Sequence, residues 1–231
     1  MNRRQFFSLA AGLSMSVFLA VYGKDDVTLL ENDNLLNAQD KDAKNREVFS
    51  RIIERAKREG WASLAIGECM AKIGLLMVGT EYAAGTLEGP GPEICRVNFT
   101  GLDCVTFYEN VLCMARILKK GKTGFDDFLA ELTFIRYRGG KLTDYTSRLH
   151  YTSDWIYDNE QKKVVRNITR EIGGEELLVK VFFMSKNLDF YPALREFPEL
   201  IEKIAGIENE INKRQHWYIP NRKVMKAEKY I

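Results

Sequence analysis

Histidine is nearly missing from this chain, whose 231 residues hold two, His150 and His216. The four cysteines, Cys69, Cys95, Cys104 and Cys113, include no C-x-x-C pair. These shortages argue against a zinc site built from Cys and His, so no metal and no other cofactor is expected. An excess of one charge is missing too: 34 Lys and Arg stand against 32 Asp and Glu, well mixed, for a net charge of +2. A balance of that kind disfavours nucleic acid or another polyanion as partner. Internal repeats and low-complexity tracts are absent, which leaves a single domain of ordinary size as the default. The N-terminal apolar run, Phe6 to Tyr22, falls short of the ~20 residues that a spanning helix needs, and no cysteine follows it to carry a lipid.

What is there begins with a targeting segment. Arg3 and Arg4 precede the apolar run, and Val21 and Gly23 suit cleavage before Lys24, so residues 1–23 are expected to be a signal peptide, of the general or the twin-arginine type. Export to the periplasm follows, with no stable membrane insertion after cleavage. Residues 24–45 are rich in Asp, Asn and Lys and are expected to be a flexible leader with little order. The domain proper is expected over 46–231.

Within that domain, Val48, Phe49, Ile52, Ile53 and Ala56 share one helical face, and Gly60 ends the helix. A second helix is expected from a Ser63 cap to about Val78, with Ile66, Cys69, Met70, Ile73 and Met77 inward and most of its surface buried. Residues 79–101 hold Gly85, Gly89, Pro90, Gly91 and Pro92, which break regular structure. A connection this long is expected to shape a site, with Tyr82 lining it. Further helices are expected over Phe125–Tyr137, closed by Gly139 and Gly140, and over Phe197–Lys213. Val164, Val165 and Ile168 suggest a strand, 177–184 is an apolar run of either type, and His216 to Pro220 reads as extended.

The centre of the chain is GLDCVTFYENVLCMAR, Gly101 to Arg116. Val105, Tyr108, Val111, Leu112 and Ala115 recur at helical spacing, so a helix is expected to start at Cys104, with Asp103 as its N-cap. Unpaired N–H groups and the positive end of a helix dipole favour a thiolate, and the thiolate is the nucleophile. A buried core cysteine would have the same local pattern. Cys113 lies too far along the same helix, about 13 Å at 1.5 Å per residue, to bridge Cys104. A bond from Cys69 to Cys95 is not forbidden, whereas one from Cys95 to Cys104 would remove the nucleophile. Downstream, Arg148, His150, Tyr151, Asp154 and Trp155 crowd together, a mixture able to hold a sugar or a peptide.

Four blocks occur in order: Gly79 to Glu88 (GTEYAAGTLE), Leu102 to Phe107 (LDCVTF), Arg136-Tyr137-Arg138, and Arg148 to Ile156 (RLHYTSDWI). Together they resemble the N-acetylmuramoyl-L-alanine amidase-like family, of the NlpC-type, papain-like cysteine peptidases that act on bacterial cell walls. The resemblance implies an α+β, papain-like fold, with the nucleophile at the N-terminus of a central helix packed on an antiparallel sheet. It implies hydrolysis of the N-acetylmuramoyl to L-alanine amide in peptidoglycan fragments (muropeptides), without a metal. Cys104 takes the nucleophile's place. Tyr82, Asp103, Arg138, Arg148, Tyr151, Asp154 and Trp155 take substrate-binding places, and His150 is a candidate base that by position looks more like a pocket residue.

The pattern departs from the family in one respect. Its catalytic histidine belongs to a strand beyond a Tyr-Ile-Pro stretch, and here the sequence ends soon after Tyr218-Ile219-Pro220. The expectation is a C-terminally truncated member with an incomplete sheet. A non-catalytic remnant that binds muropeptides, or an endopeptidase cutting within the stem peptide, are the alternatives.

Overall fold

A computed structural model describes residues 24–224, with side chains from residue 40 to 223. The expected signal peptide, residues 1–23, lies outside them. The backbone contacts divide the chain into residues 1–47 and 48–231.

Helix α1 runs from Lys24 to Arg58, so residues 24–45, expected to lack order, are helical. No glycine or proline interrupts this span, and its polar residues suit a solvated helix. Gly60 ends the helix in the left-handed region, φ 68°, as its lack of a Cβ permits. Trp61–Ser63 then form a 3-10 turn in which the Ser63 hydroxyl donates back to the Gly60 carbonyl. Ser63 therefore caps a turn and not a helix. Helix α2 starts later and ends earlier than expected, Ile66–Leu75, and buries only the face of Cys69 and Ile73. Ile66, Leu75 and Val78 are exposed, because among the described residues α2 packs only through the face turned to the core.

The glycine-rich connection is bracketed by structure the sequence did not announce. Strand β1, Glu81–Tyr82, pairs in parallel with β2, Gly101–Leu102, so both ends of the loop are held together. Helix α3 begins at Cys104 and runs to Lys119. It packs against α2 on one side and against α4, Phe125–Arg136, on the other. The expected antiparallel sheet under this helix is not found among the described residues; its neighbours are helices, and β2 reaches only its start. Phe49, Phe99, Phe125 and Phe128 interlock beside α3, with ring centroids 5.3 Å apart for Phe49–Phe125 and for Phe99–Phe128.

Helix α5 covers Thr152–Gln161. Val164 and Val165 form no strand, since the N–H groups of both reach back to the Asn159 carbonyl and Lys163 adopts φ 58°. Strand β3, Glu175–Glu176, pairs antiparallel with β4, Trp217–Tyr218, in keeping with an extended exit after the last long helix. Between them lie α6 (Phe183–Lys186), α7 (Pro192–Glu196) and α8 (Ile201–Asn212), and the short α9 spans Asn221–Val224. Helix α8 is shorter than the expected Phe197–Lys213, because Pro198 opens a 3-10 turn first. Met184, Leu194, Leu200 and Ile204 form a second apolar cluster with Tyr145. The architecture is helix-rich α+β with two small sheets, and no described helix is long and apolar enough to cross a membrane.

Candidate active site

Cys104 stands where a local device places it. Asp103 Oδ1 accepts the Thr106 N–H at 2.7 Å, and the Asp103 N–H donates to Thr106 Oγ1 at 2.9 Å, a reciprocal box that sets the first turn of α3. Such a box satisfies two of the donors that a helix start otherwise leaves open. The turn before it is held as firmly. Asn98 Oδ1 accepts the N–H groups of Thr100 and Gly101 at 2.9 and 3.0 Å, and Asn110 Nδ2 donates to the Asn98 carbonyl. A Cβ at Gly101 would lie 2.8 Å from that of Ala83, so only glycine permits this approach of β2 to the residue after β1. The sulfur is thereby fixed at a helix N-terminus, and Cys104 is exposed.

The other three cysteines differ. All four are free thiols, Cys69 and Cys113 are buried, and Cys95 is half-buried. Burial pushes the thiols of Cys69 and Cys95 up, and that of Cys113 well above its ordinary value.

Behind Cys104 lies a layer of buried polar contacts. Tyr108 stacks edge-on against Trp155 at 5.0 Å. Burial raises the Tyr108 phenol, with the charges of Glu109 and Cys104 adding to the effect. Trp155 Nε1 donates to Glu109 Oε1 at 3.0 Å, and Arg136 Nε donates to Glu109 Oε2 at 2.8 Å. Tyr82 sits on the strand paired with Leu102 and is 72% exposed.

The remaining expected residues meet elsewhere. Asp154, 1% exposed, accepts from Arg138 on one oxygen and Arg214 on the other, each at 2.7 Å. Arg148 is buried, donates to the Leu87 carbonyl at 2.9 Å, pairs with Glu88, and lies 4.8 Å over the Tyr145 ring. Tyr151 donates to Glu208 at 2.6 Å. His150 Nε2 bonds the Tyr145 carbonyl at 2.8 Å, and burial, helped by the nearby Arg148 charge, lowers its pKa to about 3. Arg138, Arg148, His150, Tyr151 and Asp154 thus pack together with Met184 and Ile204 around a gap too small to admit water. In chemical terms this arrangement holds the loop, α5 and α8 in register, with a neutral imidazole inside. His216 lines an open cleft of about 380 Å³ with Tyr157, Arg170, Arg214 and Trp217.

Glu109, Glu208 and Arg214 escaped sequence reading although each carries much of this network. Glu109 left a trace, a charged residue between Tyr108 and Leu112 on the apolar side of its helix. Glu208 and Arg214 left none, since their partners lie far away in sequence. Among the described residues no group of three His, Cys, Asp or Glu side chains could hold a metal ion.

An N-acetylmuramoyl-L-alanine amidase from Bacteroides uniformis superposes with a TM-score of 0.63 and 31% identity, over 68% of this chain and 66% of that one. A candidate xylanase from Bacteroides fragilis gives 0.60 and 35%, over 65% of each chain. A Legionella pneumophila protein, 20% identical with a TM-score of 0.50, shares the fold alone, over 77% of this chain and 62% of that one. The chain spans just under two thirds of the length of the Bacteroides structures. No curated protein matches it. The sequence over residues 72–230 matches the AmiA-like, N-acetylmuramoyl-L-alanine amidase-like family, and with the capped Cys104 helix and the neighbouring folds in view, the chain belongs to that family.

Proposed function

We propose that this protein is a cysteine-dependent amidase of the bacterial cell wall, which hydrolyses the amide joining N-acetylmuramic acid to L-alanine in soluble peptidoglycan fragments. The observation that carries the reading is the setting of Cys104: of the four thiols it alone is exposed, and it opens a helix whose cap fixes its direction. The thiolate adds to the muramoyl carbonyl, the C–N bond breaks, and the amine leaves with the proton that the thiol gave up. Water then hydrolyses the thioester, freeing the sugar acid and the thiol. First-turn N–H groups of α3 lie where an oxyanion would gain stabilisation. The papain-like fold enters this reading from the family resemblance alone, since the antiparallel sheet it implies under α3 is not found among the described residues. The reading also includes export by a signal over residues 1–23, a leader over 24–45, a domain from residue 46 and a periplasmic site of action. Tyr82, exposed on the strand paired with β2, is read as a substrate contact, whereas Trp155, expected to be one, is buried against Tyr108 and Glu109 and supports the helix that bears the nucleophile. Arg138, Arg148, Tyr151 and Asp154, expected to bind substrate, are spent on one another, Glu88, Glu208 and Arg214, and enter this reading as supports of the fold.

The base that takes the thiol proton is the weak link, and it favours a second reading. His150 spends Nε2 on a carbonyl and is held at a pKa of about 3, far from the near-neutral value that suits a general base. A muropeptide-binding protein with little turnover is therefore the alternative, and stem-peptide cleavage is a third. Incubation with soluble muropeptides followed by mass spectrometry separates them. The amidase reading expects N-acetylmuramic acid sugar and intact stem peptide, abolished in Cys104→Ala. Cuts within the stem would establish the endopeptidase, and binding without products the non-catalytic form.

A further inference from the structure

Two arginines line the open cleft of about 380 Å³ formed by α5, the turn at 167–170 and residues 214–217. Each is held against an aromatic ring. The Arg214 guanidinium stands 3.8 Å from the centre of the Tyr157 ring, and that of Arg170 stands 5.0 Å from the centre of the Trp217 ring. Stacking of this kind engages the flat face of a guanidinium and leaves its N–H edges to other partners. Arg214 is anchored a second time, since its Nη1 donates at 2.7 Å to Asp154, a side chain only 1% exposed. Its Nε and Nη2 have no acceptor among the described residues. A guanidinium so placed has little rotamer freedom left to lose when a ligand binds.

The acids around the cleft are used up before these cations are matched. Asp154 is one carboxylate between two guanidiniums, those of Arg138 and Arg214, so one positive charge there is left over. Arg170 pairs with no carboxylate among the described residues. Its neighbour Glu171 takes Arg166, Asp158 takes Lys162, and Glu160 accepts the Asn167 N–H. Ser153 and Gln215 add a hydroxyl and an amide to the lining, groups that suit the uncharged polar part of a ligand and not a bare ion. We propose that this cleft binds a small organic carboxylate, its two oxygens on the free edge of Arg214 with Arg170 beside them, and its amide-bearing stem against Ser153 and Gln215. A planar fork of this kind takes a carboxylate through two parallel bonds. Cys104 does not line the cleft, and the proposal does not rest on the amidase reading.

The test titrates N-acetylglycine into the full-length chain, followed by NMR, with neutral N-acetylglycinamide and inorganic phosphate as controls. Saturable binding of N-acetylglycine is expected, and both controls should bind about tenfold or more weakly, since one lacks the charge and the other the stem. Arg214→Gln is expected to weaken binding about tenfold and Arg170→Gln severalfold. The fold should survive the first change because Asp154 keeps Arg138. Should it not, Arg170→Gln decides, because that side chain is exposed and carries no ion pair. Equal binding of either control, no saturation, or full binding by either variant overturns the proposal. The assay breaks no bond, so its failure leaves the amidase reading untouched.

Discussion

Arg136 donates its Nε to Glu109 across 2.8 Å with both side chains nearly inaccessible, 3% and 1% exposed. The pair ties α4 to α3 one turn beyond Cys104, and the Arg136 Nη1 goes on to the Arg96 carbonyl at 2.6 Å. Trp155 shares the same carboxylate, so three segments meet on Glu109. Buried ion pairs contribute little net attraction, yet breaking one strands a charge in a low-dielectric interior. Glu109→Ala is expected to cost about 3–5 kcal/mol of unfolding free energy. Urea titration measures it, and a loss below about 1 kcal/mol would refute the role given to this residue.

Alkylation of the folded protein should label Cys104 first. The other thiols are buried or half-buried, and burial disfavours their thiolates. Iodoacetamide at mildly alkaline pH with peptide mapping reads the order. Faster labelling of Cys95 would place reactivity elsewhere.

The box at the start of α3 has a testable weight. Asp103→Ala leaves the Thr106 N–H without its acceptor, while the hydroxyl keeps only the Asp103 backbone carbonyl, and is expected to cost about 0.5–2 kcal/mol. Asp103→Asn should retain most of it. Thermal melts of the two variants check this, and identical melting of Asp103→Ala and wild type would contradict it.

His150 makes stability depend on pH. Its folded pKa is about 3 against 6.5 for the free side chain, so between those values the unfolded chain binds a proton that the folded chain refuses. The contribution is full above about pH 6.5 and is lost as pH falls toward 3. Urea midpoints from pH 7 to 4 should therefore fall less steeply for His150→Gln than for wild type, carboxylate effects being common to both. Parallel curves would show that the ring is solvated.

Much of the site's local form was legible in the chain itself. The start of α3 at Cys104, the Asp103 cap and the Gly60 stop depend on contacts within a few residues, and such contacts are written in spacing. The Ser63 cap failed for the same kind of reason in reverse: a nearer acceptor, the Gly60 carbonyl, took its hydroxyl. The expected strand at Val164 failed because one carbonyl, that of Asn159, turned the chain back.

The sequence by itself determined the stop at Gly60, the start of α3 at Cys104 and its Asp103 cap, since backbone hydrogen bonding and side-chain periodicity act over one or two turns. Only the tertiary structure decided what the polar cluster after Arg138 does. Arg148 finds Glu88, Tyr151 finds Glu208 and Asp154 finds Arg214, and each pairing spans dozens of residues. A charged side chain cannot stay buried alone. Which distant partner neutralises it, and whether the pair lines an open cleft or closes a pocket, is set by how the helices pack.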